Sequence, residues 1–157
     1  MRILVVSDSH GRVGQIEKAI ELEKDAKNIF FLGDCEKDVE DLPFIYPDRT
    51  FHIVSGNCDY GSMNKTEDTV VLGKVKIFFT HGHSYGVKGG IGGLRIKAKA
   101  EGAGLVLFGH THIAIKEYAD GVHFVNPGSL CSAREGHTGY AVIDIEDSGI
   151  MTILKRL

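Results

Sequence analysis

The sequence predicts an α/β fold, with one mixed sheet or two packed sheets and helices covering the outer faces. Three observations lead there. Apolar runs of strand length recur through the first two thirds of the chain, and several gaps between them are long enough for crossover helices. The final third changes texture, to short strands separated by turn signals. No repeat, low-complexity tract or proline-rich linker divides the 157 residues, so residues 1–157 read as a single domain of a size that can bury its own core.

Taken in order, Ile3–Ser7 reads as a strand and Val13–Glu23 as an amphipathic helix with apolar positions at helical spacing. Asn28–Leu32, Thr50–Ser55, Lys74–Thr80 and Leu105–Phe108 follow as apolar strands, with Ile91–Glu101 the clearest crossover helix. Strands alternating with helices imply parallel βαβ units with right-handed crossovers. Beyond His112, Ile113–Ala119, Val122–Val125, Tyr140–Ile145 and Ile150–Leu154 are short strands punctuated by Asp120-Gly121 and Asp147–Gly149, the pattern of antiparallel hairpins.

Composition narrows the function classes. Hydrophobic residues make up 43% and charged residues 25%, and the net charge is −3, so there is no basic footprint for nucleic acid. The apolar run at the N-terminus, Ile3–Val6, is too short for a secretory signal or a membrane span. Cys35, Cys58 and Cys131 are odd in number and lack CxxC spacing, which argues against a disulfide framework and for a cytoplasmic setting.

The chemistry lies at the strand ends. "ILVVSDSH" ends in Asp8 and His10, "IFFLGDC" in Asp34, "FHIVSGNCD" in Asn57, Cys58 and Asp59, "VKIFFTHGH" in His81 and His83, and "LVLFGHTH" in His110 and His112. One such group is usually a turn residue or a helix cap. Five in one small domain, all at the same kind of strand end, imply a shared crevice beyond the carboxyl ends of parallel strands. In D-x-H and H-x-H, residues two apart on an extended chain face the same side. Gly33, Gly56, Gly82 and Gly109 stand beside these groups, where the backbone needs to turn tightly. Carboxylate, amide oxygen and imidazole suit Mn²⁺, Fe²⁺, Co²⁺, Ni²⁺ or Zn²⁺. Seven such donors exceed one tetrahedral ion and suit two ions sharing a carboxylate, which can clamp a phosphate and activate a water.

The order D-x-H, G-D, G-N-x-D, H-G-H, G-H-x-H, with "NPGS" at Asn126–Ser129, resembles the calcineurin-like metallophosphoesterase superfamily. The closest resemblance is to its small bacterial and archaeal phosphodiesterases related to the eukaryotic retromer scaffold subunit. That resemblance implies a four-layer α/β/β/α sandwich and two divalent ions, Mn²⁺ being the first choice. Asp8, His10 and His112 would hold one ion and Asn57, His81 and His110 the other, with Asp34 bridging. Asn57, Cys58, Asp59 and His81 form the catalytic set it implies, and His83 and Arg134 are assigned to substrate binding. Most of the superfamily has a histidine after the asparagine, as proton donor to the leaving group. Here Cys58 stands in its place, a poorer acid than imidazolium.

The activity so implied is hydrolysis of small-molecule phosphate diesters by a metal-held hydroxide. The competing readings are a non-catalytic metal-binding scaffold of the same fold, a phosphomonoesterase, and a nuclease, the last disfavoured by the acidic charge balance. No membrane partner is expected, and a homo-oligomer is compatible with the sequence. "GVKGGIGGL" (Gly86–Leu94) lacks the G-x-G-x-x-G register and is not expected at a turn opening a βαβ unit, so it reads as a flexible rim near the site. His52, His123 and His137 read as packing or surface residues, and Lys97 and Lys99 as a solvent face.

Overall fold

The computed structural model describes residues 1–131 and 138–157. Two five-stranded mixed sheets pack face to face. One has the order β10-β9-β1-β2-β3, built from β1 (Arg2–Val6), β2 (Asn28–Phe31), β3 (Thr50–Ile53), β9 (Gly139–Glu146) and β10 (Gly149–Arg156). The other has the order β4-β5-β6-β8-β7, from β4 (Glu67–Leu72), β5 (Val75–Thr80), β6 (Leu105–Leu107), β7 (Ala114–Ala119) and β8 (Val122–Pro127).

Why runs such as Ile3–Val6 and Leu105–Leu107 are apolar at every position follows from the layering. Ile3, Val5, Phe30, Leu32, Ile77, Phe79, Leu105 and Leu107 fill the space between the sheets. Their neighbours Leu4, Val6, Ile29 and Phe31 face the opposite way, onto Ile16, Ala19 and Ile20 of helix α1 (Val13–Leu22). Phe78 and Val106 likewise face Leu94 and Ala98 of helix α3 (Gly92–Glu101). A strand covered on both faces keeps no polar side. Three apolar layers therefore hold four layers of structure, the α/β/β/α sandwich.

Strands β1, β2 and β3 run parallel, as do β5, β6 and β8. The hairpins expected after His112 are β7–β8 and β9–β10, each antiparallel. The β2–β3 connection holds only a 3₁₀ turn, Glu36–Val39, and the one-turn helix α2 (Leu42–Ile45).

Three readings need correction. Strand β4 was not expected: "EDTVVL" mixes charge with β-branched residues because it is an edge strand, paired on one side only, to β5. "GVKGGIGGL" does lie in the crossover between parallel β5 and β6 and leads directly into α3. Lys97 is no free solvent-facing cation. Its Nζ lies 3.0 Å from both Glu67 and Glu101 and 5.4 Å from the centre of the Phe78 ring. Its long stem covers apolar surface while the head is paired. Among the described residues no helix is long and apolar enough to cross a membrane.

Candidate metal centre

Five strands, β1, β2 and β3 of one sheet and β5 and β6 of the other, send their carboxyl ends to the same end of the sandwich. Their loops are laced together by backbone bonds, Asp8 N to Gly33 O and Gly109 N to His81 O, each 3.0 Å. Asp8, His10, Asp34, Asn57, His81, His110 and His112 meet there.

Alternation along an extended chain is not what aims these side chains. Asp8, His10, Asp34, Cys35, His110 and His112 all have positive φ, between 43° and 78°, and they are six of the seven non-glycine residues so placed among the described residues. Left-handed backbone is costly for such residues and persists only where surroundings impose it. The left-handed turns, not strand periodicity, turn Asp8 with His10 and His110 with His112 toward one centre.

The loops also pass too closely for a side chain between them. A Cβ on Gly56 would lie 2.2 Å from Asp34 Oδ1, and one on Gly109 would lie 2.1 Å from Ser7 Oγ. At both positions glycine is a packing requirement.

The donors form two groups around Asp34. His81 Nε2 lies 3.1 Å from both Asn57 Oδ1 and His110 Nδ1, and 3.5 Å from Asp34 Oδ1. His10 Nε2 lies 3.7 Å from Asp34 Oδ2, and His112 Nε2 lies 3.0 Å from Asp8 Oδ1. Ligand atoms of Asp8, His10 and His112 fall within 4.8 Å of one another, as do those of Asp8, Asp34 and His81 and those of His10, Asp34 and Cys58. These groups are positioned to bind a metal.

The chemistry of the set fits a cation. His81 is fully buried, and its Nδ1 donates to the Leu32 carbonyl at 2.7 Å. With the proton of the neutral ring on Nδ1, Nε2 presents a lone pair to Asn57 Oδ1 and Asp34 Oδ1, which are acceptors themselves. A cation satisfies every lone pair at once. Asp8, also fully buried, accepts from Ser7 Oγ at 2.5 Å and from His110 N at 3.2 Å. Burial pushes its carboxyl up, but His112, His81 and Ser7 outweigh that and hold it below the usual range, as an anion. Burial, then the charges of His81 and Lys88, lower His110 to about 4. Neutral imidazole is the form that ligates metals.

Around these donors runs a shell of supports. Both oxygens of Asp59 are turned onto backbone, accepting from the amides of Asp34, Cys35, Glu36 and Gly56 at 2.7–2.9 Å. Asp34 Oδ1 in turn accepts from Cys58 N at 2.9 Å. Cys58 is exposed, and its thiol is pushed up to about 11, by desolvation first and then by Asp34. His83 sits beside the cluster, its ring 5.5 Å from that of His81 and 6.1 Å from that of His110. Burial and the charge of His81 push its imidazole below the ordinary value. Arg134, the other residue assigned to substrate, lies outside the described residues, as does His137.

Several supports were not assigned by the sequence reading. Asn126 Nδ2 donates to Gly109 O at 2.8 Å, and Ser129 Oγ to Asp8 O at 2.9 Å, so "NPGS" clamps the loops of Asp8 and His110 together. Asp38 Oδ2 accepts from Ser9 Oγ and Gly11 N, both at 2.7 Å, and holds the turn of His10. "NPGS" was visible as a signal. Asp38, in an ordinary polar stretch, carried none.

Comparison with known proteins agrees with this geometry. Over 151 residues, 94% of the chain, the sequence is 35% identical to the protein named "Probable metallophosphoesterase YsnB" from Bacillus subtilis, covering 86% of that protein. It is 27% identical to "Phosphodiesterase MJ0936" from Methanocaldococcus jannaschii, covering 93% of this chain and 94% of that one. Among solved structures, a Streptococcus pneumoniae protein described as a predicted phosphoesterase superposes with a TM-score of 0.85 at 28% identity, over 99% of this chain and 88% of that one. Zn²⁺-complexed Vps29 from Entamoeba histolytica shares the fold, with a TM-score of 0.80 at 22% identity over 100% of this chain and 98% of that one. Residues 1–148 match the calcineurin-like phosphoesterase superfamily domain, and the chain belongs to that superfamily.

Proposed function

We propose that the chain is a phosphodiesterase working with two divalent ions, Mn²⁺ the first choice among Mn²⁺, Fe²⁺, Co²⁺, Ni²⁺ and Zn²⁺. Asp8, His10 and His112 would hold one ion and Asn57, His81 and His110 the other, with Asp34 shared. The observation that carries the reading is the position of Asp34, whose Oδ2 faces His10 and Oδ1 faces His81, so one carboxylate stands between two donor groups. Bound ions would neutralise the phosphoryl oxygens and lower the pKa of a coordinated water.

The chain's own residues do the rest. Ser7, His112 and the amide of His110 fix the rotamer of Asp8. The Leu32 carbonyl fixes the tautomer of His81, as partners behind a ligating histidine do. The Asp59 carboxylate holds the turn of Asp34 against that of Gly56. Cys58, protonated at neutral pH, stands where a proton donor to the leaving group is expected and is a weak acid for that task. Substrates with good leaving groups are therefore favoured. Preference for diesters is supported by the relative named a phosphodiesterase.

The test is hydrolysis of bis(p-nitrophenyl) phosphate with Mn²⁺. Turnover should vanish on chelation and return with metal. Asp34→Asn should lower bound metal from two ions per chain and cut the rate by more than the roughly 10–100-fold typical of losing a supporting contact. Tight metal binding without turnover on any of a panel of diesters and monoesters would leave the scaffold reading instead.

A further inference from the structure

Three loops bring His10, Asp34 and Cys58 together, so that a ring nitrogen, a carboxylate oxygen and the thiol sulfur lie within 4.8 Å of one another. Each residue follows a different strand, β1, β2 or β3, and only the tertiary fold assembles the trio. The sulfur is held in place. Cys58 N donates to Asp34 Oδ1 at 2.9 Å, and Asn57 Nδ2 donates to Cys58 Sγ at 3.3 Å while Asn57 Oδ1 faces His81.

The other two cysteines show that nearness to the centre is not enough. Cys35 directly follows Asp34, and the Cys131 amide donates to Asp8 O at 3.2 Å. Among the described residues, neither of their thiols joins a group of metal-capable donors. The position of its sulfur singles out Cys58.

Sulfur also differs in kind from the oxygen and nitrogen donors around it. Thiolate is a soft ligand that suits Zn²⁺, whereas Mn²⁺ suits oxygen donors. Without a cation, a Cys58 thiolate would be a second anion beside the Asp34 carboxylate. With a soft ion between them, both anions share it, and the thiol proton leaves to solvent as the metal–sulfur bond forms.

We infer that Cys58 is a conditional metal ligand: it joins His10 and Asp34 on a thiophilic ion such as Zn²⁺ and stays a free thiol when the centre holds Mn²⁺. The identity of the metal then decides what Cys58 does. With Mn²⁺ the thiol remains free to face the leaving group, and with Zn²⁺ the sulfur is occupied by the ion. This deepens the two-ion phosphodiesterase reading and rests on it for His10 and Asp34 as donors.

Co²⁺, a spectroscopic substitute for Zn²⁺, tests this in the full chain. Wild type loaded with Co²⁺ should show a sulfur-to-metal charge-transfer band in the near ultraviolet. The band should be absent in Cys58→Ser and kept in Cys35→Ser and Cys131→Ser. Because Cys58 is exposed, alkylation by iodoacetamide should mark it in the Mn²⁺-loaded protein and spare it in the Zn²⁺-loaded one, read residue by residue by mass spectrometry. In calorimetric titrations Cys58→Ser should bind Zn²⁺ at least about tenfold more weakly, no less than the loss of a supporting contact costs, while its affinity for Mn²⁺ holds and shows the variant to be folded. A wild type that binds Co²⁺ without the band, a band that survives in Cys58→Ser, or equal alkylation of Cys58 in both loaded forms overturns the proposal. Turnover of bis(p-nitrophenyl) phosphate in Mn²⁺ reports separately on the phosphodiesterase reading. The band without turnover keeps the Cys58 ligand and sinks that reading, and turnover without the band does the reverse.

Discussion

Asp59 spends both carboxylate oxygens on four backbone amides. Replacing it by Asn turns one acceptor into a donor against N–H groups, leaving at least one buried amide unmet. Asp59→Asn should weaken metal binding by about 10–100-fold while the protein still folds, checked by calorimetric titration with Mn²⁺. Cys58 poses the opposite question, about leaving groups rather than ions. Cys58→His should raise rates on alkyl diesters more than on aryl diesters, because only alkoxides need a proton from the enzyme. An unchanged ratio between the two substrate classes would remove Cys58 from the chemistry. At this scale much of the site was legible, because aspartate, asparagine and histidine at strand ends advertise themselves by type. Asp38 and the four-amide role of Asp59 were not, since hydrogen bonds to backbone depend on which loops come to lie side by side.

Helix α1 starts without a capping side chain, with Arg12 at the N-cap and no acidic residue in its first turn. No side chain meets its first amides, of which Gln15 N turns back onto the Arg12 carbonyl at 2.9 Å, and no acidic side chain in the first turn compensates its dipole. Arg12→Ser should stabilise the fold by about 1 kcal/mol, raising the melting temperature by roughly 2–4 °C, read by thermal denaturation. The helix was still legible, because Ile16, Ala19 and Ile20 keep the apolar spacing that tertiary packing rewards. Buried strands were equally plain as unbroken apolar runs. Strand β4 was hidden because an edge strand with one open side shows neither a continuous run nor clean alternation. The turns around Asp8, Asp34 and His110 were located correctly but given the wrong backbone, since left-handed φ at non-glycine residues has no sequence signature.

The two sheets are joined through side chains that belong to neither alone. His52 on β3 stacks on Phe30 at 4.4 Å and meets Phe79 of the opposite sheet edge-on at 6.1 Å, while its Nε2 bonds Asn28 Oδ1 at 2.9 Å. Burial lowers its pKa from 6.5, only partly offset by Asp68. Because the unfolded chain takes up the proton first, His52 leaves stability intact above about pH 6.5 and reduces it as pH falls from there toward its lower folded-state value. Denaturant unfolding at pH 7 and pH 5 should show a loss that His52→Gln, neutral throughout, reduces. If both proteins lose equally, other groups set the acid limit.

By itself, the order of residues determined the layers and the kinds of donor at each strand end, since burial on two faces and side-chain chemistry are written residue by residue. The tertiary structure alone decided which donors face which oxygen of Asp34. That choice needs strands of two different sheets to end at one level, and loops packed tightly enough to hold their turns in a conformation that no isolated segment would keep.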